Sequence, residues 1–211
     1  MDIITLTAVD KSFKGRPIYT DASATFSAGS ITSIVGPNGS GKSLLFRMLC
    51  GFVSSDRGEI WIDPTYLSHN RDYPDRFGII IDRPGFVQHL TGLENMEALA
   101  KIRQKIGRAE IVHFMNEFGL DPSLKQKVRH YSLGMRQKLA LVQAFMEEPD
   151  VLILDEPFNA LDADSVVLVR EKIKHFHENG GTVIFTSHND ADIESLADTV
   201  IEVRNAQLVR R

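Results

Sequence analysis

The chain has 211 residues, 43% of them hydrophobic, enough to bury the core of one domain or slightly more. A net charge of −4 leaves no basic footprint and argues against nucleic acid as a main partner. The single cysteine, Cys50, excludes a disulfide framework and suits a reducing compartment; no apolar run approaches bilayer length, and Met1-Asp2 does not open a basic-then-apolar signal segment.

Residues 2 to 9 alternate, with Ile4, Leu6 and Ala8 on one face and Thr5, Thr7 and Val9 on the other. Residues 22 to 27 alternate again, Ala22, Ala24 and Phe26 against Ser23, Thr25 and Ser27. Both stretches predict half-buried strands of an antiparallel sheet, with Lys14-Gly15-Arg16-Pro17 turning between them. A short apolar strand, Ile31 to Val35, then runs into Gly36-Pro37-Asn38-Gly39-Ser40-Gly41-Lys42-Ser43. A helical stripe of Leu45, Met48 and Leu49 follows, closed by Gly51.

That loop matches G-x-x-x-x-G-K-[ST] between a strand and a helix. Its glycines let the backbone curl so that successive N–H groups face a polyphosphate, and the helix adds the positive end of its dipole. Lys42 is placed to neutralise charge on the β- and γ-phosphates, and the Ser43 hydroxyl to hold Mg²⁺. Gly36 to Ser43, with Leu44 at the start of the helix, are therefore candidate residues for binding a nucleoside triphosphate. A flexible glycine turn that happens to contain Lys-Ser is the bland alternative.

Further strands are expected at Gly58 to Ile62 and Phe77 to Ile81. From about Val87 the periodicity turns helical for some forty residues. Thr91-x-x-Glu94 forms a capping box, and Ile111, Phe114, Met115 and Phe118 stripe a helix closed by Gly119. Another helix carries Met135, Leu139, Val142 and Met146. After Pro149 come a fully apolar strand, Val151 to Leu154, and the pair Asp155-Glu156. A helix striped by Val166, Val169, Ile173 and Phe176 leads to the strand Thr182 to Thr186 and to Ser187-His188-Asn189. The chain ends in a short helix around Ile193 and Leu196 and two strands either side of Asn205. Helices alternating with strands imply a parallel sheet. Residues 87–149 are expected as a helical subdomain inserted within a single domain of 1–211, the core being 1–86 and 150–211. An apolar strand ending in two acids suits the ligand-binding end of a parallel sheet, where the first acid can reach Mg²⁺ and the second can take a proton from water. Alone, that pattern equally describes a strand ending in solvent.

Taken together these motifs resemble the nucleotide-binding subunit of an ABC transporter, and the likeness runs the length of the chain. Gly36 to Ser43 resembles the family's phosphate loop, Val151 to Pro157 its metal strand, Asn159-Ala160-Leu161-Asp162 the loop that follows, and His188 its switch histidine. Ser132-Leu133-Gly134-Met135-Arg136-Gln137 is similar to the family signature, usually L-S-G-G-Q. Tyr131, Leu133 and Met135 depart from it, while Ser132 and Gly134 remain. The resemblance implies a P-loop NTPase fold: a parallel core sheet, an N-terminal antiparallel β subdomain and an inserted α-helical subdomain. It implies ATP and Mg²⁺ as cofactors, with Ser43, Asp155 and Asp82 as candidate metal ligands. Glu156 is then the general base, with His188 and Lys42 beside it. Ser132 and Gly134 would close on the γ-phosphate of ATP bound to a second subunit, with Asp162 in the adjoining loop; a plain serine cap on a core helix is the other reading of Ser132.

Asp82 stands where the family usually has Gln, followed by Arg83-Pro84-Gly85. It is read either as part of a variant coupling loop that reaches the metal or as a surface turn. Phe13 is similar to the aromatic that stacks on adenine, or else is a core Phe. The implied partners are a transmembrane transporter subunit and a second nucleotide-binding subunit, in the cytoplasm on the inner face of the cell membrane, with export favoured over import. A soluble ABC-type ATPase of assembly or repair is the alternative. A phosphate-loop kinase or GTPase is disfavoured, because no N-K-x-D-like guanine reader is present.

Overall fold

A computed structural model describes residues 1–67, 74–82 and 85–211. Two sheets organise the chain. The first is antiparallel, with β1 (Asp2–Phe13) between β2 (Arg16–Ser27) and β4 (Arg57–Ile62). The second has six strands, in the order β5 (Phe77–Ile80), β6 (Val151–Leu154), β7 (Thr182–Thr186), β3 (Ile31–Val35), β8 (Thr199–Arg204), β9 (Gln207–Arg210). Its first five strands pair in parallel and β9 is antiparallel.

The apolar runs explain the parallel core. Every residue of β6 is buried because both faces of the sheet are covered. Strand alternation then sorts the side chains. Leu152, Leu154, Val183 and Phe185 pack with the helical layer of α2 (Gly92–Arg103), α3 (Arg108–Glu117), α4 (Leu133–Phe145) and α5 (Ala163–Glu178). Val151, Ile153, Ile184 and Ile201 face the other way, onto α1 (Lys42–Leu49) and the buried Ile4, Leu6, Val9 and Phe26 of the antiparallel sheet. A short α6 (Asp190–Leu196) completes the helices of the described residues.

Local chemistry sets the boundaries. Lys14 and Gly15 take left-handed backbone (φ 50° and 78°), which gives the two-residue turn that matches the twist of a hairpin, and Phe13 pairs with Arg16 across it. The Thr91–Glu94 capping box forms as expected and opens α2. One expectation fails in β1. The strand runs on to Phe13, and its alternation breaks at Ala8, whose φ of 49° turns it outward and brings Val9 into the core. The register slips there between Leu6 and Val9, and the Ala8 N–H is taken by Ser23 Oγ at 2.9 Å.

Candidate functional site

The phosphate-loop segment leaves β3 at Val35 and re-enters regular structure at Lys42, the first residue of α1. Two of its glycines combine positive φ with a close neighbour. Gly36 has φ 147°, and a Cβ there would lie 2.9 Å from the Val203 carbonyl; Gly41 has φ 109°, and a Cβ would lie 2.5 Å from Ile18. Tyr19 Oη donates to the Gly41 carbonyl at 3.0 Å, so β2 braces the loop from behind. Lys42, 8% exposed, folds over the loop and donates from Nζ to the carbonyls of Gly36 (2.8 Å) and Pro37 (3.3 Å).

Because β6 lies beside β7 and β7 beside β3, three strand ends deliver their polar residues to one place. Ser43 Oγ donates to Asp155 Oδ2 at 2.5 Å. Thr186 Oγ1 donates to Asp155 Oδ1 at 2.8 Å and accepts from the Glu156 N–H at 2.8 Å. His188 Nε2 lies 3.1 Å from Glu156 Oε1. That contact lacks hydrogen-bond alignment, so Oε1 is buried with no hydrogen-bond partner in the chain. Burial pushes the Glu156 carboxyl above the ordinary range; the nearby His188 opposes the rise and Asp155 adds to it. A carboxylate so raised holds a proton more readily than a solvated one, which suits a general base.

The residues lining this cleft of about 490 Å³ include Phe13, Asn38, Gly39, Gly41, Lys42, Ser43, Leu44, Asp82, Asp155, Glu156 and His188. Gly36 and Pro37 line an adjoining recess that also reaches His188. Ser40 belongs to the same loop, its hydroxyl oxygen buried without a partner. Phe13 is 60% exposed at the cleft mouth, not part of the core. The Ser43 hydroxyl and Asp155 carboxylate are hard oxygen donors in contact, a fit for Mg²⁺, which commonly takes one or two protein oxygens and completes its shell with water and phosphate. No cluster of three or more His, Cys, Asp or Glu able to hold a metal occurs among the described residues.

The remaining expected site residues are placed differently. Asp82 reaches the cleft, but its carboxylate is paired with Arg47. Arg83 and Pro84 lie outside the described residues. Ser132 is exposed at the N-terminus of α4, where its Oγ accepts from the Met135 N–H at 3.1 Å. Gly134 packs under the loop after β6; a Cβ there would lie 2.8 Å from the Ala160 carbonyl. Asp162 caps α5, accepting from the Ser165 N–H at 2.8 Å, and the Ser165 hydroxyl together with that N–H lowers its pKa. Ser132, Gly134 and Asp162 do not line the cleft of their own chain.

Three contributors escaped sequence reasoning. Thr186 joins the two acids, and its only signal is a hydroxyl just after the apolar run Val183 to Phe185. Gln137, which the sequence placed in the signature without a role of its own, donates from Nε2 to the carbonyls of Glu156 (3.3 Å) and Pro157 (3.0 Å), tying α4 to the turn after β6. Asp192, 2% exposed, accepts from Ser187 Oγ at 2.6 Å and Arg170 Nε at 2.8 Å, which anchors the residue before His188.

A phosphate loop with its lysine, a serine–aspartate oxygen pair and a desolvated glutamate on adjacent strand ends define a nucleoside-triphosphatase site. The comparisons specify the family. The family model described as ABC transporter matches residues 19–159. The ABC transporter ATP-binding protein YybJ of Bacillus subtilis is 34% identical over 208 residues, covering 99% of this chain and 94% of that protein. The lantibiotic transport ATP-binding protein SrtF of Streptococcus pyogenes is 33% identical over 90% of this chain and 82% of its own length. The bacitracin transport ATP-binding protein BcrA of Enterococcus faecalis is 34% identical over 86% of this chain and 59% of its own. Among solved structures, a dimeric post-hydrolysis state of the ATP-binding cassette MJ0796 bound to ADP and Pi superposes with a TM-score of 0.87. It covers 99% of this chain and 98% of that one at 21% identity, a likeness of fold. The chain belongs to the ABC transporter family, as an ATP-binding subunit with ATPase activity. No helix among the described residues is long and apolar enough to cross a membrane.

Proposed function

We propose that the chain is the ATP-hydrolysing subunit of an ABC exporter, working on the inner face of the cell membrane with a separate transmembrane partner and a second nucleotide-binding subunit. The single observation that carries this reading is the chain of contacts Ser43–Asp155–Thr186–Glu156–His188 in one cleft, with Ser132 exposed and outside that cleft. Phe13 would stack on the adenine, the amides of residues 36 to 43 would bind the phosphates, and Lys42 would leave its own loop carbonyls for the β- and γ-oxygens. Mg²⁺, held by Ser43 and Asp155, would offset charge on the phosphates. Glu156 takes a proton from the attacking water, and His188 keeps that carboxylate and the γ-phosphate in line. Ser132 and Gly134 of a second copy close the site, and Asp162, capping the neighbouring helix, holds the loop between them.

Residues 87–149 are proposed as the inserted helical unit that carries Ser132. A groove of about 410 Å³ runs between the edge strand β5 and α2, with Phe52 and Ile102 exposed along it, and a membrane partner would dock there. The names of SrtF and BcrA denote antibiotic cargo, which favours export. An assembly or repair role finds no support among these relatives.

The test is Glu156→Gln. Hydrolysis should fall by about 10²-fold or more, MgATP binding should persist, and light scattering should show a dimer trapped by ATP. Full turnover in that variant removes the assignment.

A further inference from the structure

Arg47 belongs to none of the motifs above, yet it lines the cleft beside Ser43 and Asp155. It projects from α1 and meets Asp82 Oδ2 with Nε at 3.1 Å and Nη2 at 2.5 Å. We propose that Arg47 is the charge partner that lets an acid stand at position 82, and is thereby a positioning residue for the triphosphate. Paired, the two side chains present the cleft with a neutral unit; unpaired, the carboxylate would repel the γ-phosphate. This rests on the ATP reading of the site given above.

Strand register supports the placement. β5 and β6 are parallel neighbours with Ile80 opposite Leu154, and the Asp155 N–H bonds to the Ile80 carbonyl at 2.7 Å. Asp82 therefore follows the end of β5 as Glu156 follows the end of β6, at the same edge of the sheet. Its backbone sits in the left-handed region (φ 57°), which aspartate tolerates better than most residues and which sets the direction of its side chain. Asp82, Asp155 and Glu156 all face the cleft, against the cations Lys42 and Arg47. Without Arg47, Lys42 would be the one lysine or arginine facing three acids in a cleft that must accept a polyanion with its Mg²⁺. Both members of the pair are 48% exposed, so their contact contributes little to folding. The effect of the arginine falls on the ligand.

The experiment measures dissociation constants of MgATP and MgADP by calorimetry on the full chain, for wild type, Arg47→Gln, Asp82→Asn and the double variant. Arg47→Gln should weaken MgATP binding about fivefold, the effect of one uncompensated charge near the phosphates but screened by water. MgADP should weaken less, and the loss should shrink as salt is added. Adding Asp82→Asn to Arg47→Gln should bring MgATP affinity back to within about twofold of wild type, a rescue that a structural defect would not show. Two results overturn the inference: Arg47→Gln binding MgATP as wild type does, or the double variant binding no better than Arg47→Gln, as expected were Asp82 a metal ligand. Failure of the wild type itself to bind MgATP overturns the reading of the site as well; wild-type binding without rescue overturns this inference alone.

Discussion

Glu156 concentrates the cost of the site in one residue. Its backbone is left-handed (φ 52°), its Oε1 is buried without a hydrogen bond, and Asp155 stands next to it. A carboxyl whose folded pKa is raised opposes folding once it ionises. The penalty is absent below the ordinary glutamate value of 4.5 and grows as pH rises through the raised folded value. Glu156→Gln should therefore melt higher than wild type near neutral pH, with the difference closing as pH falls to about 4.5. A difference that stays constant over that range would contradict the account. The acids, the lysine and the histidine were legible because each sits at a fixed offset from a strand end. Thr186, Asp192 and the Arg47–Asp82 pair were not. Their roles come from neighbours distant in sequence, brought together only when β5, β6 and β7 align, and no local pattern encodes that.

At the level of elements, the apolar stripes forecast the helices and the parallel strands well, since burial on one or both faces dictates those patterns directly. The bulge at Ala8 was invisible, because the Ser23 hydroxyl and the close approach of Gly58 impose it from other strands. A second close approach governs how the helical layer meets the sheet. A Cβ on Gly78, in the edge strand β5, would lie 2.0 Å from the carbonyl of Ala144 in α4. Backbone cannot yield as a side-chain tip can. Gly78→Ala should destabilise the chain by roughly 2–3 kcal/mol, read as a lower midpoint in urea at an unchanged slope. A midpoint equal to wild type would mean that the approach of Gly78 to Ala144 does not limit how α4 rests on β5.

For the whole molecule, the proposal makes two copies necessary, and a mixing experiment tests it. Ser132→Asp keeps a helix cap of equal quality but puts a negative charge where a phosphate would arrive. Lys42→Ala disables the phosphate loop. Each variant alone should hydrolyse ATP poorly. Their equimolar mixture should regain roughly a quarter of wild-type activity, because half of the dimers are mixed and each of those has one intact composite site. Recovery no greater than the sum of the two variants would mean that every chain works alone.

The serine that caps α4 has a further consequence. Its oxygen already accepts from its own helix, which leaves the hydroxyl hydrogen to donate, and it does not line the cleft where its own chain would hold the nucleotide. On this reading, a solitary subunit retains its fuel without burning it. Surplus copies awaiting assembly stay quiet through geometry alone, and no separate inhibitor is needed to restrain them.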